Sequence, residues 1–400
     1  MMTTGLSTIR IAFVFEYARD NNDWMFGSLI ESLGARLPGL QSTCIHGVFP
    51  TYRPGGLRAG RIVNLVWVYL QVVLHLTFFH HDAVLVRSAP PGVQLWTMWW
   101  ARFRRVPVLC WMMDCHPEIE ARKLERLGFT GTARFLRGMD ASLMPRFSVI
   151  VALDKAMADF VRSRAAGVEV LEHPTWNAGE AAGMQPVSYR PGSGAGPLRL
   201  AYSGNLGTAH DLSAFSGLLD QLARRRPVEL HVIGSSAAGE ARFLELGSKP
   251  GVSIKTNPRV SFAELRGLYE RWKIDAGVVL LAGESCGVVS PSKFLGYIDF
   301  GVPLVYLGPP ATSTAEVCTR FGGGFWMPVR AGSRDIKAVA DSLLDVGRMR
   351  DAAKGARAAA AHFAGLNADS LADMLLPRLE RLPGIAAAMQ YRQNGRQVAS

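Results

Sequence analysis

Cysteine is scarce in this chain: five in 400 residues, Cys44, Cys110, Cys115, Cys286 and Cys318. The number is odd and no close pair has the spacing of a structural zinc site, so a reducing, cytoplasmic interior is the simpler reading. Charged side chains are also few, 19% against 48% hydrophobic, which excludes a disordered chain and requires large cores. Acid is short relative to base, 33 Asp and Glu against 44 Lys and Arg, and the formal charge of +11 favours an anionic partner. That partner is nucleic acid, an acidic membrane face or a phosphorylated small molecule. The surplus arginine is scattered (Arg53, Arg58, Arg61, Arg102, Arg104, Arg105, Arg224, Arg225, Arg226). No recognition helix, zinc pattern or aromatic RNA-binding signature accompanies it, so nucleic acid is not expected as a partner.

The opening MMTTGLSTIRIAFVFEYARD lacks the small-residue cleavage context of a secretory leader, and none is expected. Long hydrophobic runs are nearly absent too. The exception, IVNLVWVYLQVVLHLTFF (62–79), is interrupted by Asn64, Gln71 and His75 and lies at the short end of the roughly 20 residues a span needs. A true span and a buried or half-immersed helix both stay open. The basic GGLRAGR (55–61) just upstream tilts the reading toward a helix lying on an anionic inner leaflet. A Ser-His-Asp pattern is missing as well.

What is present is a strand and helix rhythm that runs twice. The length exceeds that at which one core stops growing, so two domains are expected. RIAFVFEY (10–17), DAVLVRS (82–88), VPVLCWMMD (106–114) and SVIVAL (148–153) read as strands, and WMFGSLIESLGARL (24–37), GVQLWTMWWARFRR (92–105) and DKAMADFVRSRA (154–165) as helices. Residues 177–197, rich in Gly, Ala, Pro and Ser, form the best linker. The rhythm then restarts with LRLAYSG (198–204), VELHVIG (228–234), VSIKTN (252–257), helix FAELRGLYERW (262–272), DAGVVLL (275–281) and PLVYLG (303–308). Continuous apolar strands alternating with helices imply α/β architecture with parallel sheets covered on both faces. The predicted organisation is two Rossmann-like, doubly wound domains facing across a cleft, 1–176 and 198–365, followed by a C-terminal helix and a frayed tail over 366–400.

Two loops of the second half stand out. SGNLG (203–207) follows a strand and precedes a helix, so Gly204 and Gly207 sit where backbone turns sharply and can approach a phosphate closely. A plain βα turn with Asp211 as helix cap explains the same letters. In SPSK (290–293), Ser290 or Ser292 can cap a helix, Pro291 suits its first turn, and Lys293 adds a compact cation, a set that fits a pyrophosphate or a mere capping segment. Glu284, just after an apolar strand, can hold sugar hydroxyls or support positive charge at a sugar carbon, or be a solvated loop carboxylate. In the first half a buried strand empties into DCHPE (114–118), where Asp114, His116 and Glu118 can serve proton transfer to an acceptor. A helix start at Pro117 capped by Asp114 is the alternative. His173, Tyr202, His210 and the glycine-rich GGGFW (322–326) are weaker candidates, read by default as loop and turn residues.

At LRLAYSGNLGTAHDL, GVSIKTNPRVSFAELRGLYERWKIDAGVVLL, SPSKFLGYIDFGVPLVYLG and WMMDCHPE the chain resembles the GT-B glycosyltransferases, in particular the bacterial family 4 enzymes of surface-polysaccharide and O-antigen assembly. The resemblance implies hexosyl transfer from a nucleotide sugar, often UDP-linked, to a lipid-linked or glycan acceptor, with retention at the anomeric carbon and neither an essential metal nor another cofactor. By position, it implies that Gly204 and Asn205 lie near the pyrophosphate and transferred sugar, and Arg259, Val260 and Ser261 near the nucleobase. Glu284, Ser290, Ser292 and Lys293 would contact sugar and pyrophosphate, and Asp114 and Glu118 would face the acceptor. It also implies a cytoplasmic location, peripheral on the inner face of the plasma membrane. Two departures are visible. The position eight after Glu284 is Ser292, and Gly296 aligns with the family's second glutamate, so a ribose ligand is missing. GNLGTAHDL holds neither Lys nor Arg, which leaves Lys293 and Arg259 to supply countercharge. A sugar-nucleotide epimerase on the same scaffold and a catalytically silent partner of a membrane glycan assembly are the competing readings.

Overall fold

Two six-stranded sheets, parallel at every pairing, organise the chain. The structure is a computed structural model that describes residues 8–16, 24–47, 58–177, 196–207 and 209–399. Most of the linker read at 177–197 and the start of the basic stretch at 55–61 lie outside the described residues. Chain contacts divide the molecule into Met1–Pro174 with Leu366–Ser400, and Thr175–Gly365.

In the first unit β1 (Ile9–Val14), β2 (Leu40–Ile45), β3 (Ala83–Arg87), β4 (Val108–Trp111), β5 (Val149–Ala152) and β6 (Glu169–Glu172) lie in the order β2-β1-β3-β4-β5-β6. β4 and β5 are buried at every position, because helices cover both faces of the sheet and leave no polar side to write into the sequence. Around them lie α1 (Trp24–Arg36), α2 (Arg58–Phe78), α3 (Val93–Arg104), α4 (Glu118–Arg126), α5 (Thr130–Leu143) and α6 (Lys155–Arg162). Asp154, whose carboxylate accepts the Met157 N–H at 2.8 Å, sets the start of α6.

In the second unit β7 (Leu198–Ser203), β8 (Val228–Ile233), β9 (Val252–Asn257), β10 (Ala276–Leu280), β11 (Leu304–Leu307) and β12 (Gly324–Met327) lie in the order β12-β11-β10-β7-β8-β9. GGGFW therefore leads into an edge strand rather than a turn before the last helices: Gly324 pairs with Leu304 so closely that a Cβ there would lie 2.3 Å from the Leu304 carbonyl oxygen. The helices are α7 (Ser213–Ala223), α8 (Ala237–Leu244), α9 (Phe262–Trp272), α10 (Phe294–Asp299), α11 (Ser313–Thr319), α12 (Ser333–Leu344) and α13 (Val346–Ala364). Leu200, Tyr202, Phe215, Leu218, Val232 and Leu280 are among the fully buried residues of its core.

The chain then returns to the first unit with α14 (Ala368–Leu379) and α15 (Pro383–Ala399), so the predicted frayed tail is helical to Ala399. Leu371 and Leu375 of α14 are fully buried and lie with Leu29, Leu85 and Trp111 around one small void. Arg36 bonds Asp369 and Asp373 at 2.9 and 2.6 Å, and the buried His173 meets the Ser370 hydroxyl at 2.8 Å. His173 is thus a structural tie rather than a mere loop residue.

Strand order reverses between β7 and β10, the point at which an open α/β sheet opens a crevice outside its carboxyl ends. The two strands pair only at Ala276 with Leu200 and Gly277 with Ala201. Beyond that register the Tyr297 hydroxyl, from α10, takes the place of the missing ladder. It accepts the Ser203 N–H at 2.8 Å and donates to the Ala201 carbonyl at 3.1 Å. Gly277 is required for the wedge, since a Cβ there would stand 2.3 Å from the Tyr297 ring.

Candidate functional site

The loops after β7 and β10 meet at this reversal. The Ala282 N–H donates to the Ala209 carbonyl at 2.8 Å, joining the second loop to the first. Gly204 has φ 101°, a conformation that disfavours any side chain, and a Cβ there would lie 3.7 Å from Lys293 Nζ. Lys293 Nζ donates to the Tyr202 hydroxyl at 2.6 Å and lies 4.0 Å from the centre of its ring. The Tyr202 hydroxyl in turn donates to the Asn205 carbonyl at 3.1 Å. No carboxylate is paired with Lys293 among the described residues. Burial lowers its pKa to about 7, because a desolvated ammonium without a counterion favours the neutral amine.

His210 lies beside the same loop, its Nδ1 3.1 Å from the Gly207 N–H. Burial first, and then the charge of Lys293, pull its pKa down to about 4, so it is neutral at pH 7 and serves the loop as an acceptor. The Asn205 side chain accepts the Ser236 N–H at 3.0 Å, tying the loop to the start of α8. Arg242 of α8 was not a candidate in the sequence, yet its guanidinium reaches the carbonyls of Gly207 and His210 at 3.4 and 3.3 Å. It brings to the loop a second cation that GNLGTAHDL itself lacks. Nothing local announces it, since the two segments are neighbours only through β8.

Glu284 is exposed in a single 3-10 turn, Gly283–Ser285, directly after β10. Ser290 is half-buried and Ser292 exposed, and neither side chain caps α10, so capping does not account for SPSK. Arg259 lies against Gly234 at the end of β8 and is exposed, with Val260 half-buried beside it. Ser261 is committed locally: its hydroxyl accepts the Glu264 N–H at 3.3 Å while the Glu264 carboxylate takes the Ser261 N–H at 2.8 Å, a capping box for α9.

In the first unit the loop after β4 divides the expected acceptor-side groups. The N–H groups of Met113 and Asp114 donate to the Ser88 hydroxyl at 2.8 and 3.2 Å. Asp114 does not cap α4, whose start has no side-chain cap. Burial raises the Asp114 pKa, while His116 and Arg87 oppose the rise. His116 Nδ1 lies 2.7 Å from Glu120 Oε1; burial disfavours its charge, but the Glu120 bond and the Asp114 charge outweigh it and raise the pKa. Glu120 Oε2 is buried without a hydrogen-bond partner among the described residues.

Glu118 stands apart from that group. Its two oxygens take Arg122 Nε at 2.7 Å, Arg137 Nε at 2.9 Å and Arg164 at 2.9 Å. Burial works against its charge, but the three guanidiniums hold its pKa at about 2. A carboxylate so occupied is the hub joining α4, α5 and the end of α6, and offers no lone pair to an acceptor. His116 and Glu120 take up the polar positions in its stead.

Among the described residues no group of three or more His, Cys, Asp and Glu is placed to hold a metal ion, and no helix is long and apolar enough to cross a membrane. No family model matches the chain. No curated protein matches it either.

Solved structures do match. WaaG, a glycosyltransferase involved in lipopolysaccharide biosynthesis, superposes with a TM-score of 0.59 at 15% identity, over 92% of this chain and 99% of that one. Anabaena HepE in complex with UDP gives 0.61 at 14% identity, over 94% and 100%. Sucrose-phosphate synthase from Thermosynechococcus elongatus gives 0.60 at 12%, over 98% and 100%. At such identities the likeness establishes the fold: this chain has the two-domain α/β architecture of GT-B glycosyltransferases.

Proposed function

We propose that the protein is a retaining, metal-independent glycosyltransferase, moving a sugar from a UDP-sugar to a lipid-linked or glycan acceptor in cell-surface polysaccharide biosynthesis. The observation that carries this reading is Lys293: a half-buried ammonium beside Gly204, hydrogen-bonded to the Tyr202 hydroxyl and with no carboxylate partner among the described residues, at the strand-order reversal where α/β sheets take their ligands. A diphosphate supplies the charge that the site lacks. Gly204 allows its close approach, Arg242 and Arg259 add cations at the loop and its rim, and Glu284, Ser290 and Ser292 face the sugar and pyrophosphate. That WaaG is a glycosyltransferase, and that HepE is seen with UDP, support the same ligand class.

In the reaction the bond from the anomeric carbon to the β-phosphate oxygen breaks and the acceptor oxygen bonds to that carbon on the same face. The acceptor proton passes to a departing phosphate oxygen, and UDP leaves. The protein contributes orientation and fixed charge, so no covalent nucleophile is required. Asp114 and the His116–Glu120 pair are the groups that would position an acceptor hydroxyl.

The exposed face of α2 supports work at the inner face of the plasma membrane. Ile62, Val66 and Phe78 are 62, 61 and 73% exposed, with Trp67, Leu70 and Leu74 between them. An apolar stripe with the cations Arg102, Arg104 and Arg105 at the end of the neighbouring α3 suits an anionic leaflet.

The test is a thermal-shift panel of nucleotide diphosphates followed by Lys293→Ala. UDP at a hundred times its dissociation constant should add about 2.7 kcal/mol to the stability of the protein. Lys293→Ala should lose that shift and all transfer while keeping its melting cooperativity. Full activity in the variant would refute the donor site, and product formed with no acceptor present would favour an epimerase.

A further inference from the structure

The first unit contains a cavity of about 600 Å³ whose apolar walls the reaction as described does not use. Its walls come from α2, α3 and α5, with Tyr69, Leu95, Trp96, Trp99, Leu136 and Met139 the main contributors. The volume falls within the roughly 300–1,000 Å³ of pockets that hold small ligands. Two of the aromatic groups have their polar tips occupied by backbone: Tyr69 donates its hydroxyl to the Pro91 carbonyl at 2.7 Å, and Trp96 Nε1 donates to the Tyr69 carbonyl at 3.1 Å. Trp96 and Trp99 stack with centroids 5.6 Å apart. The rings of the lining are therefore fixed in position, and the walls they share with Leu95, Leu136 and Met139 are mostly hydrocarbon.

Two charged groups also line it. Glu120 is the carboxylate bonded to His116, with one oxygen unpartnered, and Arg102 packs over Trp99 at 5.8 Å. A bare sugar or a nucleobase would need more hydrogen-bonding groups than these walls provide. Tyr69 also sits on α2 directly between exposed Val66 and Leu70, so the cavity borders the apolar stripe of that helix.

We propose that this cavity holds the isoprenoid or alkyl chain of the acceptor, next to the polar group that would receive its hydroxyl. The inference rests on the glycosyltransferase reading for the word acceptor, and on the cavity alone for the chain. The chain enters past α2, and its phosphate-bearing end is met by Arg102. The site is thus a measure of the lipid, separate from the donor site of the second unit.

The experiment uses the full chain and n-alkyl phosphates of six to twelve carbons, below their micellar concentrations, with tryptophan fluorescence as the readout. Affinity should tighten about threefold to fourfold per added methylene, as expected for burial of each CH₂. A dodecyl phosphate carrying a diazirine should label residues 92–105 and 130–143. Met139→Trp and Leu136→Trp, which fill the cavity, should each weaken dodecyl phosphate at least tenfold by equilibrium dialysis. Affinity independent of chain length, or labelling confined to 62–79, would overturn the proposal even if neither variant folds. The UDP shift is read on the same samples: chain binding without it would count against the glycosyltransferase, and the shift without chain binding would count against the cavity alone.

Discussion

Lys293 gives the proposed donor site its pH dependence. Its pKa of about 7 in the folded chain lies below the ordinary 10.5, so between those values the unfolded chain holds a proton that the folded chain lacks, and this group's contribution to stability rises with pH across that window. A bound diphosphate restores the ammonium. We expect UDP binding at pH 8 to take up a proton, seen as different calorimetric heats in two buffers of unlike ionisation enthalpy, and affinity to weaken as pH rises above about 7. Equal heats would show that the amine is already charged or not engaged. Tyr297 is a residue of another kind, fully buried and bonded to β7. Tyr297→Phe should cost roughly 1–3 kcal/mol by urea denaturation, since the Ser203 N–H and Ala201 carbonyl lose their partner, and should weaken UDP by loosening the Gly204 loop. That the loops after β7 and β10 deserve notice was legible in the sequence, because glycine and lysine at strand ends carry a mechanism of their own. Arg242 and Tyr297 were not, because their roles exist only once β8 and β10 lie beside β7.

Helices α4 and α5 are joined by charge. Glu118 on α4 meets Arg137 of α5, and Arg164 beyond α6 completes the set. Glu118→Gln should destabilise the protein by about 2–4 kcal/mol, at the lower side of the figure for a broken buried pair because the arginines are about a quarter exposed. Its pKa of about 2 is below the usual glutamate value, so the stabilisation is present above pH about 4.5 and is lost as pH falls toward 2. The gap between wild type and variant in thermal melts should close over that range. The sequence placed Glu118 among acceptor groups because it follows a buried strand, and spacing along the chain does not report three distant guanidiniums. The same limit governed the strands. β4, β5 and β10 are buried throughout and read as continuous apolar runs, whereas β2, β6 and β12 lie at sheet edges. LQSTCI and EVLE carry exposed polar residues and do not stand out, and GGGFW reads as a turn because Gly322 does turn, at φ 64°, while Gly323 and Gly324 are there for close packing.

At the scale of the molecule, the apolar stripe of α2 is a surface as much as an element. Replacing Val66, Leu70 and Leu74 together by serine should cut binding to phosphatidylglycerol vesicles at least tenfold in flotation assays while leaving the UDP shift in place. High salt should weaken what remains. Two domains were legible from the repeated strand rhythm, but the passage of α14 and α15 back to the first unit was not, since an amphipathic helix does not encode which core it covers. That return has a consequence for biosynthesis. Residues 175–365 contain every described strand and helix of the second unit, whereas the first lacks Leu371 and Leu375 until α14 has been made. On the ribosome the unit begun second is therefore the first that can close, and its partner waits for α14 and α15, with Leu29, Leu85 and Trp111 not yet covered.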